Sequence, residues 1–76
     1  MTRSPDPAIV ATLAGLRDIL QEAATLALSA DAALAAGNQN SAIGTLLPLE
    51  EMLPTAQALF QATRSLHRLH RQGGGQ

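Results

Sequence analysis

The chain has 76 residues, 46% of them hydrophobic, with five basic and six acidic side chains, a formal charge of −1 and no cysteine. The missing cysteines exclude a disulfide framework and a thiolate metal site. The balance of charge and hydrophobicity excludes a disordered acidic or basic tail, and the length allows one domain at most.

Fifteen alanines and thirteen leucines favour helix, all five basic residues are arginine, and the only aromatic is one Phe. A chain this short buries only about 60% of its unfolded surface. Small domains therefore use a disulfide, a metal or a partner chain as a staple. Here oligomerisation is the expected remedy, because aromatic residues supply much of the buried area in ordinary small cores.

Residues 1–5 read as a flexible lead. Ser4-Pro5-Asp6-Pro7 is a helix-start signal. Ser4 or Asp6 can cap, and proline suits a first turn where its missing N–H costs nothing. The first helix is expected over 6–36. Ile9, Leu13, Leu16, Leu20, Ala23, Ala27, Ala30 and Leu34 are spaced 4, 3, 4, 3, 4, 3, 4. This is a coiled-coil seam. Ile19, Leu26 and Ala33 widen it on one flank, Val10 and Ala24 on the other. Gly15 is a local weakness, and Leu28 falls away from the seam.

Gly37-Asn38 is a stop signal, because glycine accepts the left-handed conformation after a helix. A turn is expected over 37–40, with Asn40 or Ser41 capping the next helix. Short links make antiparallel neighbours. The second helix is expected over 41–72. Leu49, Met52, Leu53, Ala56, Leu59, Phe60, Thr63, Leu66 and His70 track one face. Pro48 and Pro54 each remove a backbone hydrogen bond, so this helix is kinked or split near them. Residues 73–76 read as a flexible tail.

In the resulting hairpin, residue i meets roughly residue 77 − i. Leu13, Leu16 and Leu20 then face Leu59, Phe60 and Leu66, and Asp6 approaches Arg68 and Arg71. Each helix has an apolar face wider than one partner covers. The expected fold is all-α: an antiparallel hairpin that pairs as a homodimeric four-helix bundle. A three-helix monomer broken at the prolines is the alternative. The expected interface residues are Ile9, Leu13, Leu16, Ile19, Leu20, Leu26, Leu34, Leu49, Leu53, Leu59, Phe60 and Leu66.

The chemistry-bearing segment is 64–71. Residues 1–60 hold two arginines and six acids, while 61–76 hold Arg64, Arg68 and Arg71 and no acid. These three recur at i, i+4 and i+7 on one helix face. They form a polyanion-binding edge with His67 and His70, or they complement the helix dipole and pair with acids of the first helix. The dipole reading is preferred, and no aromatic is spare to stack bases. His67 and His70 at i, i+3 are weak metal candidates, since zinc needs about four ligands.

No nucleophile with a base is evident. Adjacent Glu50 and Glu51 point in different directions on a helix. No catalytic residue and no cofactor are assigned. No signal peptide is legible in residues 1–20. The longest uncharged stretch, 32–49, contains Gly37, Asn38 and Pro48 and reads as a turn. A cytoplasmic, non-enzymatic self-association or protein-interaction module is expected, with a second helical protein as a further partner. A small nucleic-acid-binding regulator is the runner-up, and a bundle holding a metal or apolar ligand comes third.

Overall fold

A computed structural model describes residues 5–74, which are all-helical with no strand. Helix α1 spans Pro7–Ala35, α2 spans Gln39–Leu46 and α3 spans Leu49–Gly74. Together α2 and α3 form the bent second arm of a hairpin, and α1 packs against both.

Local chemistry fixes the boundaries. The Asp6 carboxylate accepts the Ala8 N–H at 2.9 Å, and Pro7 occupies the first helical position. Ser4 lies outside the described residues. At the far end of α1, Gly37 has φ +85°. The Gly37 N–H donates to the Leu34 carbonyl and the Asn38 N–H to the Ala33 carbonyl, both at 2.9 Å. This pair of bonds is a Schellman motif, and glycine supplies its left-handed residue at little steric cost. The cap of α2 is Asn38, whose side chain accepts the Ser41 N–H at 3.0 Å. The second arm thus starts two residues earlier than Ser41, and the expected caps Asn40 and Ser41 lie inside α2.

The two prolines behave differently. The arm is interrupted at 47–48, where proline follows the last turn of α2, whereas Pro54 lies within α3. The helix extends into the expected tail as far as Gly74, while Gly75 and Gln76 lie outside the described residues.

The inward face of α1 is turned from the expected seam. Ile9, Thr12, Leu16, Ile19, Ala23, Leu26, Ala30 and Ala33 are its inward positions, all buried or half-buried. Four of them belong to the expected seam. The other four replace Leu13, Leu20, Ala27 and Leu34, which are exposed. The matching face of α3 comprises Leu49, Met52, Ala56, Leu59, Thr63 and Leu66.

Two observations account for the turn. Gly15 has no side chain, and a Cβ there would lie 3.4 Å from Leu59 Cδ1, so α3 settles close on this side. The Thr63 hydroxyl also donates to Thr12 Oγ1 at 2.8 Å. Each hydroxyl also lies within hydrogen-bond distance of a carbonyl of its own helix, Ile9 for Thr12 and Leu59 for Thr63. The two contacts between helices put residue i beside residue 74 − i or 75 − i, two or three positions short of the sequence estimate.

The hairpin is one layer thick. Its Cα extents are 59 × 23 × 13 Å and its radius of gyration is 17.5 Å. A compact chain of this length has a radius of about 11 Å. Its accessible surface is 5774 Å², against roughly 4,400 Å² for a compact monomer of this mass. Among the described residues the buried hydrophobic ones are Ala30, Ala42 and Ala56, and no large side chain is fully buried.

Candidate interaction face

Several large apolar side chains stand outside the hairpin seam. On α1, Leu13, Leu20 and Leu34 are 52%, 47% and 54% exposed; on α3, Leu53 and Phe60 are 53% and 49% exposed. Each set repeats at seven-residue steps, one helical column beside the seam. The displacement has the same rotational sense on both helices. Antiparallel packing brings columns of the same sense to the same side. Leu13, Leu20, Ala27 and Leu34 therefore share one side of the layer with Leu53 and Phe60.

A second column borders each of these. On α1 it contains Val10, Arg17, Ala24 and Asp31, and on α3 Glu50, Gln57, Arg64 and Arg71. Column and border together give α1 a second seam, Val10, Leu13, Arg17, Leu20, Ala24, Ala27, Asp31 and Leu34. The apolar residues of α1 thus extend over two adjacent seams, and the hairpin covers one of them.

The expected interface residues thus divide into two groups. Ile9, Leu16, Ile19, Leu26, Leu49, Leu59 and Leu66 are half-buried on the inner face, while Leu13, Leu20, Leu34, Leu53 and Phe60 point away from it. Sequence reading missed the groove between α1 and α2. Its apolar lining is Ala27, Ala30, Leu34, Ala42, Ile43 and Leu46, with Asp31 and Gln39 as its polar members, and it is open to solvent. The signal for it was the small residues Ala27 and Ala30, which let α2 approach closely.

Arg64, His67, Arg68 and Arg71 line one open hollow on α3. The Arg64 guanidinium lies 5.7 Å from the centre of the Phe60 ring, a cation–π distance. Among the described residues the one ion pair joins Arg17 to Asp18 at 3.1 Å, with both side chains largely exposed. The expected approach of Asp6 to Arg68 and Arg71 forms no ion pair, and the Asp6 carboxylate caps α1 instead. Of the three arginines only Arg71 lies in the last turn of α3, so the helix dipole accounts for one of them.

His67 is exposed, and the side chain of His70 lies outside the described residues. Among the described residues no three His, Cys, Asp or Glu side chains group as metal ligands. No described helix is long and apolar enough to cross a membrane. No family model, curated protein or solved structure matches this chain.

Proposed function

We propose that the chain is a noncatalytic self-association module whose outer apolar side receives a second copy to make a four-helix bundle. The observation that carries this is the side formed by Leu13, Leu20, Leu34, Leu53 and Phe60, about half exposed on a hairpin one layer thick. Stable domains bury an apolar core between at least two packed layers. A single layer with alanines as its buried residues lacks that core, and a second identical layer supplies it. The size argument points the same way, since neither a disulfide nor a metal cluster is available among the described residues to staple the fold.

Absolute mass by light scattering after size exclusion, followed across a tenfold dilution, tests the reading. The expected mass is two chains. Leu20→Asp puts a carboxylate into the apolar side, where burial without a partner is costly. It is expected to dissociate or unfold the assembly. A folded Leu20→Asp variant that keeps the wild-type dimer mass would exclude this side as the interface.

A second reading is nucleic-acid binding through the α3 edge. It is favoured by the absence of an ion pair to Arg64, Arg68 or Arg71 among the described residues. Arginine forks match phosphate geometry. Contact with three phosphates per chain gives a log–log salt slope of about −2.7 on duplex DNA. No detectable duplex binding at low salt removes the reading.

A further inference from the structure

The border columns of α3 also suggest how a second copy is oriented. Glu50, Gln57, Arg64 and Arg71 lie on one exposed column at seven-residue steps, and Leu53 and Phe60 lie on the apolar column beside it. From Glu50 to Arg64 this arrangement is its own complement when reversed about Gln57, while Arg71 lies beyond that stretch and meets no α3 residue of the other copy. A second α3 laid antiparallel with Gln57 at the centre brings Glu50 level with Arg64 of the other copy, and Arg64 level with its Glu50. The same operation sets Leu53 beside Phe60 of the other copy within one residue of register. Neither Glu50 nor Arg64 has an ion-pair partner within the chain among the described residues.

Resting on the self-association reading, we infer that the second copy packs with α3 antiparallel to α3 across a two-fold axis at Gln57, with Glu50 and Arg64 paired reciprocally between copies. The occupant is a second copy because the charge order from Glu50 to Arg64, acid then amide then base, meets its own reverse. An isologous two-fold interface demands such self-complementarity. Charges at the edge of an apolar helical seam set partner and orientation in the same way in coiled coils. The turn ends of the two hairpins then point in opposite directions. The hairpin register of 75 − i places Gln57 level with Asp18 of α1, so Leu20, on the neighbouring helix, lies within one turn of the level of the axis.

The absence of cysteine from the chain makes a direct test clean. Gln57→Cys is expected to form a disulfide-linked dimer on mild oxidation, because residues on a two-fold axis meet their own copies. Ser29→Cys, on the opposite side of the hairpin, is the control and is expected to stay largely unlinked. A second arm uses charge reversal. Glu50→Arg and Arg64→Glu are each expected to raise the dimer Kd about tenfold through like-charge contacts. Mixed in equal amounts, the two variants are expected to recover a two-chain mass, since every reversed pair is then attractive. Circular dichroism of each variant checks that its helices are retained.

A wild-type dimer in which Gln57→Cys links no faster than Ser29→Cys overturns this orientation while leaving self-association in place. So does a mixture of charge variants that stays as weak as its components. A wild-type mass of one chain overturns both.

Discussion

On one side of the hairpin, Leu13, Leu20 and Leu34 of α1 stand beside Leu53 and Phe60 of α3. On the other side, the corresponding columns carry Ala8, Gly15, Glu22 and Ser29 on α1 and Thr55, Ala62 and Leu69 on α3, bordered by Asp18, Thr25, Glu51 and Ser65. The two sides have the same backbone geometry and lie on the same pair of helices. They differ in what they can exclude from water. The second side is small and polar apart from Leu69, and its glycine lets the helices close on each other. The first keeps side chains that stabilise only when something covers them, at about 25 cal/mol per Å² of apolar surface removed from water. A hairpin can thus be well formed locally and still leave large apolar side chains uncovered.

The largest expected effect breaks the layer itself. Leu16 lies between the helices on the inner face. Leu16→Asp is expected to cost about 3 kcal/mol or more, because an unpaired charge is forced into the seam. Thermal unfolding followed by circular dichroism should show loss of the cooperative transition. A smaller perturbation separates the two sides. Phe60→Ala is expected to weaken self-association by tenfold or more while retaining helicity, as truncation of an aromatic anchor does. Ser65→Asp, on the polar side, is expected to leave the mass distribution unchanged. Equal effects from the two substitutions would remove the distinction between the sides.

The smallest effects concern the glycines. Gly37 holds a φ of +85°, so Gly37→Ala is strained at this position and is expected to cost about 1 kcal/mol. In a domain of this size that lowers Tm by roughly 4–8 °C. Gly44 sits within α2, and a methyl group added there would meet open space. Gly44→Ala is expected to raise stability by about 0.5–1 kcal/mol through helix propensity. The two substitutions add the same methyl group, and the opposite signs come from backbone conformation alone.

Much of the fold was legible because it is written in short-range patterns. Seven-residue repeats give amphipathic helices, Gly37 gives the stop, and Asp6 with Pro7 gives the start. Leu28 was correctly set apart, and it is 72% exposed. The candidate face was only half legible. The repeats on α1 fill three adjacent apolar columns, and one neighbouring helix covers about two of them. Periodicity alone ranks the columns by hydrophobicity and chooses the one with Leu13, Leu20 and Leu34. The packed hairpin chooses the column with Thr12, Ile19, Leu26 and Ala33.

Sequence by itself therefore determined that this protein is an all-helical hairpin with a turn at Gly37 and a second arm kinked or split near Pro48 and Pro54. These features depend on backbone chemistry and on residues a few positions apart. Tertiary structure decided which apolar column faces inward, that Pro48 interrupts the arm while Pro54 lies within α3, and that Ala30 and Ala42 are its most buried residues. The choice of inward column goes with a close approach at Gly15 to Leu59 and a hydrogen bond between Thr12 and Thr63, 51 residues apart. Such contacts join partners that no local pattern can pair.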